Sequence, residues 1–385
     1  MRLKEVLSKY FKGDGIIWGI VLLLSIISLL AVYSSTGTLA YKYQGGNMAY
    51  YILKHFSLLV FGLVIIFITH LVPYKFYSRL SQLFLYVSIF MLAITLVMGT
   101  SLNQASRWLT LPGIGLTIQT SDFAKLALIM YLARVLSLRQ DRIDKFEGVI
   151  VHLILPIVFV CGLIMPANLS TSLILGVTSG VLLFIGRVPS RYLLSIGGIV
   201  VFAIVLLIAG VLISKEKGRV GTWQHRVENY LGSGEGDNYQ VEQSKIAIAT
   251  GGILGKGPGN STQRNFLPHP YSDFIYAIII EEYGFFGGVI ILLLYLMLLY
   301  RAGVIVRNSE RTFAAFLAIG LAFSLTFQAM INMGVAVNVL PVTGQTLPLV
   351  SMGGSSLLFT GIALGIILSV SRSVENNEDM ENEES

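Results

Sequence analysis

Cysteine and charge are what this sequence lacks most. Cys161 is the only cysteine among 385 residues, which excludes an intramolecular disulfide and metal ligation by a set of thiolates. Charged residues make up only 12%, about half the share of an ordinary soluble domain, while hydrophobic residues make up 54%. With a mean hydropathy of +0.74, the composition excludes a soluble globular protein and indicates one that crosses a membrane several times.

Several apolar runs approach or exceed the roughly 20 residues that a helix needs to cross a bilayer. These runs lack the alternating segments of a membrane β-barrel, and a helix satisfies its own backbone in lipid. We therefore predict an all-α polytopic membrane protein, a bundle of ten transmembrane helices. The predicted spans are approximately 16–35, 51–72, 80–99, 120–137, 149–165, 170–186, 192–213, 274–300, 313–334 and 347–370.

Basic residues in the short loops fall on one face of this bundle. An even number of spans puts both termini on one side, and loops 75–79, 139–145, 187–191 and 301–311 place lysines and arginines there. The positive-inside rule assigns that side to the cytoplasm. The net charge of +6 therefore reflects basic loops and not a nucleic-acid partner. We predict one membrane domain, 1–372, and an acidic, disordered cytoplasmic tail, 373–385.

Residues 214–273 form one long, glycine-rich segment between predicted spans 7 and 8, on the opposite face. Its seven basic residues include Lys245 and Lys256, and loops of this length escape the positive-inside rule. Structureless loops this long are uncommon unless they are functional or disordered. Within the segment, YQVEQSKIAIATGG has partly helical spacing and is a candidate for a helix on the membrane surface.

Four stretches at or near the predicted extracytoplasmic face carry a family resemblance. They are NQASRWLTLPGIGLTIQTSDFAKLALI, PANLSTS, YQVEQSKIAIATGGILGKGPGNSTQRNFLPHPYSDFIYAIIIEEYG and QAMINMGVAVNVLPVTGQTLPLVSMGGSSLL. In this order and on these spans they resemble the SEDS family (shape, elongation, division and sporulation), the FtsW and RodA proteins. GPGNSTQ and ASRW are more similar to the division members than to the elongation members.

The resemblance implies a peptidoglycan glycosyltransferase that polymerises lipid II at the outer face of the bacterial cytoplasmic membrane. It also implies a class B penicillin-binding protein as partner, which crosslinks the strands, together with other divisome proteins. A RodA-like polymerase of cell elongation, a flippase for lipid-linked precursors and a non-enzymatic division scaffold are the alternatives. A carrier is expected to show internal repeats and midplane charges, whereas this sequence shows no repeat and its charges concentrate at the outer face.

Asp273, in LPHPYSDFIYA, is the residue that the resemblance marks as catalytic. Strand extension needs a sugar hydroxyl to attack as a pyrophosphate leaves, and a nearby carboxylate can accept the hydroxyl proton. Without the resemblance, an aspartate at the start of a span is an ordinary helix cap. With it, we predict that Asp273 is the general base.

Four cationic residues are predicted to bind the departing pyrophosphate, because its growing negative charge needs stabilisation. They are Arg107, Lys125, Lys245 and Lys256. Each also has an ordinary explanation: Arg107 snorkels at the interface, Lys125 forms a structural ion pair, and the two loop lysines are solvated. A divalent cation, Mg²⁺ or Mn²⁺, is compatible with such a site, although the sequence shows no dedicated ligand cluster.

Two further groups of polar residues are predicted to lie in the substrate cleft. Glu281 and Glu282 lie roughly 12–14 Å deeper along span 8 than Asp273. Either one of them lines the cleft or pairs with Lys125, or both remain solvated where glycines break the helix. PVTGQTLPLVSMGGSS is irregular at membrane depth, which requires contact with protein or with a water-filled cavity. From this stretch we predict that Gln345, Ser351 and Ser355 line the cleft.

Two more polar positions bear on the site. Gln328 and Asn332, one turn apart on span 9, are predicted to make interhelical hydrogen bonds. Asn168 stands where the family commonly has an aspartate after span 5, with Thr171 at the family's threonine. Since asparagine cannot act as a base, a role that rests on that carboxylate is not expected here.

Overall fold

The chain is mostly helical. The computed structural model describes residues 11–37, 47–98, 100–102, 105–110, 117–138, 146–195 and 239–384, with single positions 39, 41, 45, 197 and 198. Its helices are α1 Gly15–Ser35, α2 Met48–Leu71, α3 Tyr74–Met98, α4 Thr120–Leu138, α5 Phe146–Ile164, α6 Leu169–Ile185, α7 Tyr239–Gly251, α8 Ile275–Arg307, α9 Thr312–Ala336 and α10 Gly354–Glu384.

Seven of these helices are long and apolar enough to cross a membrane, namely α1, α2, α3, α5, α8, α9 and α10. The helix α6 is apolar but has only 17 residues, and α4 carries Asp122, Lys125 and Arg134 within its 19 residues. Predicted spans 1–6 and 8–10 thus each overlap a helix. The largest difference is at span 10, because α10 begins at Gly354 and not at residue 347 and continues beyond residue 370. Predicted span 192–213 and residues 214–238 lie largely or wholly outside the described residues. The architecture is that of a multi-pass membrane protein.

A small antiparallel sheet departs from the all-α prediction. Strands β1 Thr100–Leu102, β2 Ala105–Thr110 and β3 Thr117–Gln119 pair in the order β1-β2-β3 between α3 and α4. Trp108 pairs with Thr100 on one side and with Gln119 on the other. Threonine, tryptophan and isoleucine favour strands, but runs of three to six residues are too short to reveal a sheet by periodicity.

The last helix runs further than predicted. It continues without a break to Glu384, beyond the predicted end of span 10 at residue 370. The disorder predicted for residues 373–385 stays a prediction. Starting a helix is costly, whereas adding residues to an existing one is not. The apolar first half of α10 supplies the started helix, and the acidic residues extend it.

The packing of α1 against α8 defines two ends of the bundle. Arg301 contacts one carboxylate oxygen of Asp14, the N-cap of α1, through Nη2 at 2.6 Å and Nε at 2.7 Å. Near the other end of both helices, the Ser34 hydroxyl donates to Glu282. The two helices are therefore antiparallel. We call the end with Asp14 and Arg301 the basic end, and the end with Ser34 and Asp273 the site end.

The helix α4 lies in the interior of the bundle. Most of its residues are buried, and it packs against α3, α6, α9 and α10. A helix enclosed by other helices needs no polar face, so its charged residues must find partners inside the protein. This requirement leads to the site described next.

Candidate active site at one end of the bundle

Asp273 lies in the turn immediately before α8, at the site end. Its side chain is half-buried, and Ser272 Oγ donates to Asp273 Oδ1 at 2.9 Å. Asn332 Nδ2 of α9 donates to the main-chain oxygen of Asp273 at 2.9 Å. The residues that follow, 275–280, are all buried. The carboxylate is thus held at the edge of the core through both its side chain and its backbone.

The segment 337–353, between α9 and α10, folds back against this turn. Ser351 Oγ donates to the main-chain oxygen of Ser272 at 2.6 Å and accepts from Leu347 N at 2.8 Å. The amide of Met352 donates to the oxygen of Tyr271 at 2.9 Å. Ser351 therefore supports the turn that carries Asp273. A direct role in substrate binding stays a prediction.

Gln345 joins α9 to α6. Its Nε2 donates to Thr171 Oγ1 at 2.8 Å, and its main-chain oxygen accepts from Asn332 Nδ2 at 2.7 Å. Asn168 caps α6 by accepting from the Thr171 amide at 3.2 Å. Asparagine and aspartate are about equally good caps, so Asn168 performs a structural task that needs no charge. Gln345 is buried within this network and does not face the cleft described below.

A cleft with about 400 Å³ of open space lies between α4, α9 and α10. Towards the site end, Lys125 Nζ lies 2.8 Å from Asp122 Oδ1 and donates to Gln328 Oε1 at 2.8 Å. Further along the helices the lining becomes mainly apolar, with Leu126, Ile129, Leu321, Leu325, Phe359 and Ala363. Lys125 is therefore a paired cation at the polar end of a largely apolar cleft.

Gln328 and Asn332 connect this cleft with Asp273. Gln328 accepts from Lys125 and donates through Nε2 to the main-chain oxygen of Thr346 at 2.9 Å. Asn332, one turn further along α9, holds the backbone of Asp273. The prediction of an interhelical hydrogen bond is confirmed at Gln328, whose partner Lys125 lies on α4. The two partners of Asn332 lie instead in the turn before α8 and in the segment between α9 and α10. Asp273 is not among the residues that line the cleft, but Asn332, which binds its main chain, lies one helical turn from the lining residue Gln328.

Glu281 binds the segment 252–265 and does not line the cleft. It is 0% exposed, and Lys256 Nζ lies 2.6 Å from its Oε1. Thr262 donates to it through its amide at 3.1 Å and its hydroxyl at 2.9 Å, and the Ser261 hydroxyl donates to the other oxygen. A buried carboxylate persists only with partners of this kind.

Glu282 is buried beside it. Its Oε1 accepts from the Ser34 hydroxyl and from the Ser261 amide at 3.2 Å, while Oε2 has no hydrogen-bond partner among the described residues. Arg264 Nη1 donates to the hydroxyl and main-chain oxygen of Ser34, both at 3.1 Å. The prediction that these glutamates remain solvated is wrong, and so is the prediction that one of them pairs with Lys125. Their role in substrate binding stays a prediction.

The helix α8 is kinked at Gly284, where φ is 70° and ψ is −168°. A kink frees backbone groups from the helix, and segment 252–257 pairs with them. Phe285 N donates to the oxygen of Gly252 at 2.9 Å, and Lys256 N donates to the oxygen of Glu281 at 3.0 Å. The segment thus replaces helical hydrogen bonds that the kink removes.

Glycines on both sides permit this close approach. A Cβ on Gly284 would lie 2.2 Å from the oxygen of Ile253, and one on Gly255 would lie 2.2 Å from the oxygen of Glu282. One on Gly251 would lie 2.2 Å from the oxygen of Ile280. In all three cases the nearest atom is a backbone oxygen, so the clash with an added Cβ cannot be relieved by the movement of a side chain.

The remaining residues that were predicted to bind substrate, Arg107, Lys245 and Ser355, do not lie together. Arg107 lies in β2, and its side chain is outside the described part of the structure. Lys245 is exposed on α7. Ser355 is buried in the first turn of α10, and its Oγ has no hydrogen-bond partner within the described ranges. Among the residues that the structure describes, no three His, Cys, Asp or Glu residues form a metal-binding group.

An apolar helical bundle with a polar network and a half-buried carboxylate at one end defines a multi-pass membrane protein with a candidate active site at that end. The model of the cell cycle protein family that comprises FtsW, RodA and SpoVE matches residues 14–376. The chain belongs to this family.

Curated relatives and solved structures align along nearly the whole chain. Stage V sporulation protein E of Bacillus subtilis is 35% identical, covering 92% of this chain and 95% of its own length. A probable peptidoglycan glycosyltransferase FtsW of Trichlorobacter lovleyi is 32% identical, covering 95% and 96%. RodA of Thermus thermophilus is 26% identical with a TM-score of 0.66, covering 95% and 98%.

The chain is also similar to a solved structure of a peptidoglycan synthase complex, which is described as showing the structural coordination of polymerization and crosslinking. It has a TM-score of 0.70 and 29% identity, covering 94% of this chain and 98% of that one.

Proposed function

We propose that this chain is a peptidoglycan glycosyltransferase that polymerises lipid II, most similar in role to FtsW in cell division, with Asp273 as the general base. The observation that carries the proposal is the geometry at Asp273. A half-buried carboxylate, which accepts from Ser272 and whose main chain is held by Asn332, lies at the end of a membrane bundle. Asn332 is one helical turn from Gln328, which lines a cleft together with Lys125. Membership of a family with peptidoglycan glycosyltransferases supports it.

In the proposed reaction, a sugar hydroxyl attacks C1 of a second, lipid-linked sugar. The new bond joins the hydroxyl oxygen to C1, the bond from C1 to the phosphate oxygen breaks, and undecaprenyl diphosphate leaves. Asp273 accepts the hydroxyl proton, which is general base catalysis. Lys125 stabilises the negative charge on the departing diphosphate, and Ser272 keeps the carboxylate oriented.

The proposal includes a topology of ten spans, with residues 192–213 as the seventh, in the bacterial cytoplasmic membrane. Both termini then lie in the cytoplasm and the site end faces outward. Two observations support this topology: basic residues cluster at the opposite end, and Asp14 pairs there with Arg301. Asp273 would then meet head groups of substrates anchored in the outer leaflet.

The proposal also includes a protein partner and a divalent cation. A class B penicillin-binding protein is the proposed partner, supported by the similarity to a peptidoglycan synthase complex. A divalent cation on the diphosphate needs no all-protein cage, because Mg²⁺ usually binds one or two carboxylates, substrate phosphates and waters.

Reconstitution tests the activity. The purified chain, placed in lipid vesicles with lipid II and its cognate class B penicillin-binding protein, is expected to produce glycan strands when transpeptidation is blocked. Gel separation of labelled strands measures the product. Movement of lipid II across the bilayer without polymer would instead identify a flippase, and neither activity together with intact partner binding would identify a scaffold.

Lys125→Met is expected to lower the polymerisation rate by about 10²-fold, in the range measured when one charge-stabilising donor is lost. The change also leaves Asp122 unpaired and buried, which destabilises a protein. The double variant Asp122→Asn with Lys125→Met therefore separates the two effects. We expect it to recover the melting temperature but not the activity. Recovery of both would make Lys125 a purely structural partner of Asp122.

A further inference from the structure

Two polar contacts between α1 and α8 measure the thickness of the apolar layer. On α1, twenty residues separate Asp14 from Ser34, and on α8, nineteen separate Glu282 from Arg301. At 1.5 Å per residue, the uninterrupted interval on α1 is about 30 Å. This length matches the hydrocarbon core of a bilayer. The contact of Ser34 with Glu282 therefore marks the boundary of the hydrocarbon at the site end.

The turn at residues 252–254, after α7, lies at this boundary. The hydrogen bonds that Gly252 and Lys256 make with the kink of α8 fix its level. At the tip of the turn, Ile253 is 67% exposed and Leu254 is 82% exposed. Large apolar side chains that are exposed together indicate a surface that contacts a membrane or another protein.

The turn continues an apolar surface of α8. Phe285 is 61% exposed beside it, and Phe286, Ile290 and Leu293 are exposed further along the same candidate membrane span. These residues face lipid in a membrane-spanning bundle. Ile253 and Leu254 thus lie at the level where this lipid-facing surface begins.

The exposed charged residues of α7 lie within its first seven residues. Glu242 and Lys245 are exposed near its start, and Ile246 is exposed one residue later, before the apolar turn. Ser244 near the start donates to the main-chain oxygen of Ala336, the last residue of α9, at 2.7 Å. The helix therefore leads from a polar environment at the site end to the edge of the hydrocarbon.

We propose that Ile253 and Leu254 form a membrane anchor, which inserts among the acyl chains of the leaflet at the site end. The anchor fixes segment 252–265 relative to the bilayer. Because the same segment binds the buried Glu281, the anchor also sets the height of α8 and of the turn that carries Asp273. The proposal concerns the bilayer alone and does not depend on the proposed activity.

Spin labelling tests the anchor. In a Cys161→Ala background, Leu254→Cys is labelled with a nitroxide and the full chain is placed in lipid nanodiscs without a partner. Collisions with oxygen, which concentrates in lipid, are compared with collisions with a water-soluble nickel chelate. The matched control is Glu242→Cys, which is also an exposed position but lies near the start of α7.

At position 254 we expect the spin label to collide more often with oxygen than with the nickel chelate. At position 242 we expect it to collide more often with the nickel chelate. Greater accessibility to the chelate at 254, as at 242, would overturn the anchor. Protection from both reagents at 254 would also overturn it, because protein and not lipid would then cover the turn. If Leu254→Cys does not fold, Ile253→Cys gives the same comparison.

Discussion

Replacing Asp273 by asparagine is expected to reduce polymerisation of lipid II by about 10²–10⁴-fold, the contribution of a positioned general base. The fold should survive. The amide oxygen of asparagine can still accept from Ser272 Oγ, and the main-chain oxygen still accepts from Asn332. Strand formation by the reconstituted chain with its crosslinking partner measures the loss, and the melting temperature checks the fold.

Glu242→Gln is the matched control for this experiment. It also neutralises one carboxylate in the part of the chain near the site end, but this side chain is exposed on α7. Its polymerisation rate should equal that of the unmodified chain. If Asp273→Asn polymerises equally fast, Asp273 is not the base, while the assignment of the chain as a polymerase remains.

Gly284→Ala is expected to lower the free energy of unfolding by about 2–6 kcal/mol. With φ at 70° and ψ at −168°, the residue occupies a region that is essentially restricted to glycine and costs other residues about 1–3 kcal/mol. The new Cβ would also lie 2.2 Å from the oxygen of Ile253, and relief of such overpacking costs about 1–3 kcal/mol more. Thermal melting in detergent and the yield of monodisperse protein measure the effect.

Gly303→Ala provides the comparison within the same helix. No atom lies within 4 Å of the Cβ position there, and alanine is favoured over glycine in a helix interior by about 1 kcal/mol. We therefore expect an unchanged or slightly raised melting temperature. Equal melting temperatures for the two variants would show that α8 straightens freely and that the contact with segment 252–257 contributes little.

The helices were largely predictable from the sequence, for a physical reason. Lipid offers no hydrogen bonds, so an apolar run of about 20 residues must satisfy its backbone internally. Every predicted span within the described ranges overlaps a helix. The sheet at 100–119 was missed because it lies outside these apolar runs, where no such constraint acts and pairing depends on short strands.

The site was predictable in composition but not in pairing. The sequence indicated that Glu281 and Glu282 need partners, yet it gave no distances, and Lys125 was the wrong choice because Asp122 lies one turn away on the same helix. The amides and hydroxyls of Ser261 and Thr262 were overlooked. A signal existed: NST follows a glycine-rich run shortly before α8, and buried carboxylates favour such donors.

The contact between segment 251–255 and α8 constrains how this part of the protein can change over evolutionary time. At Gly251, Gly255 and Gly284 alike, the opposing atoms belong to the main chain. An oversized side chain in an ordinary core can be accommodated when a neighbour becomes smaller. Here no neighbouring side chain is available to shrink, so a substitution at any of the three glycines has no compensating suppressor across the contact.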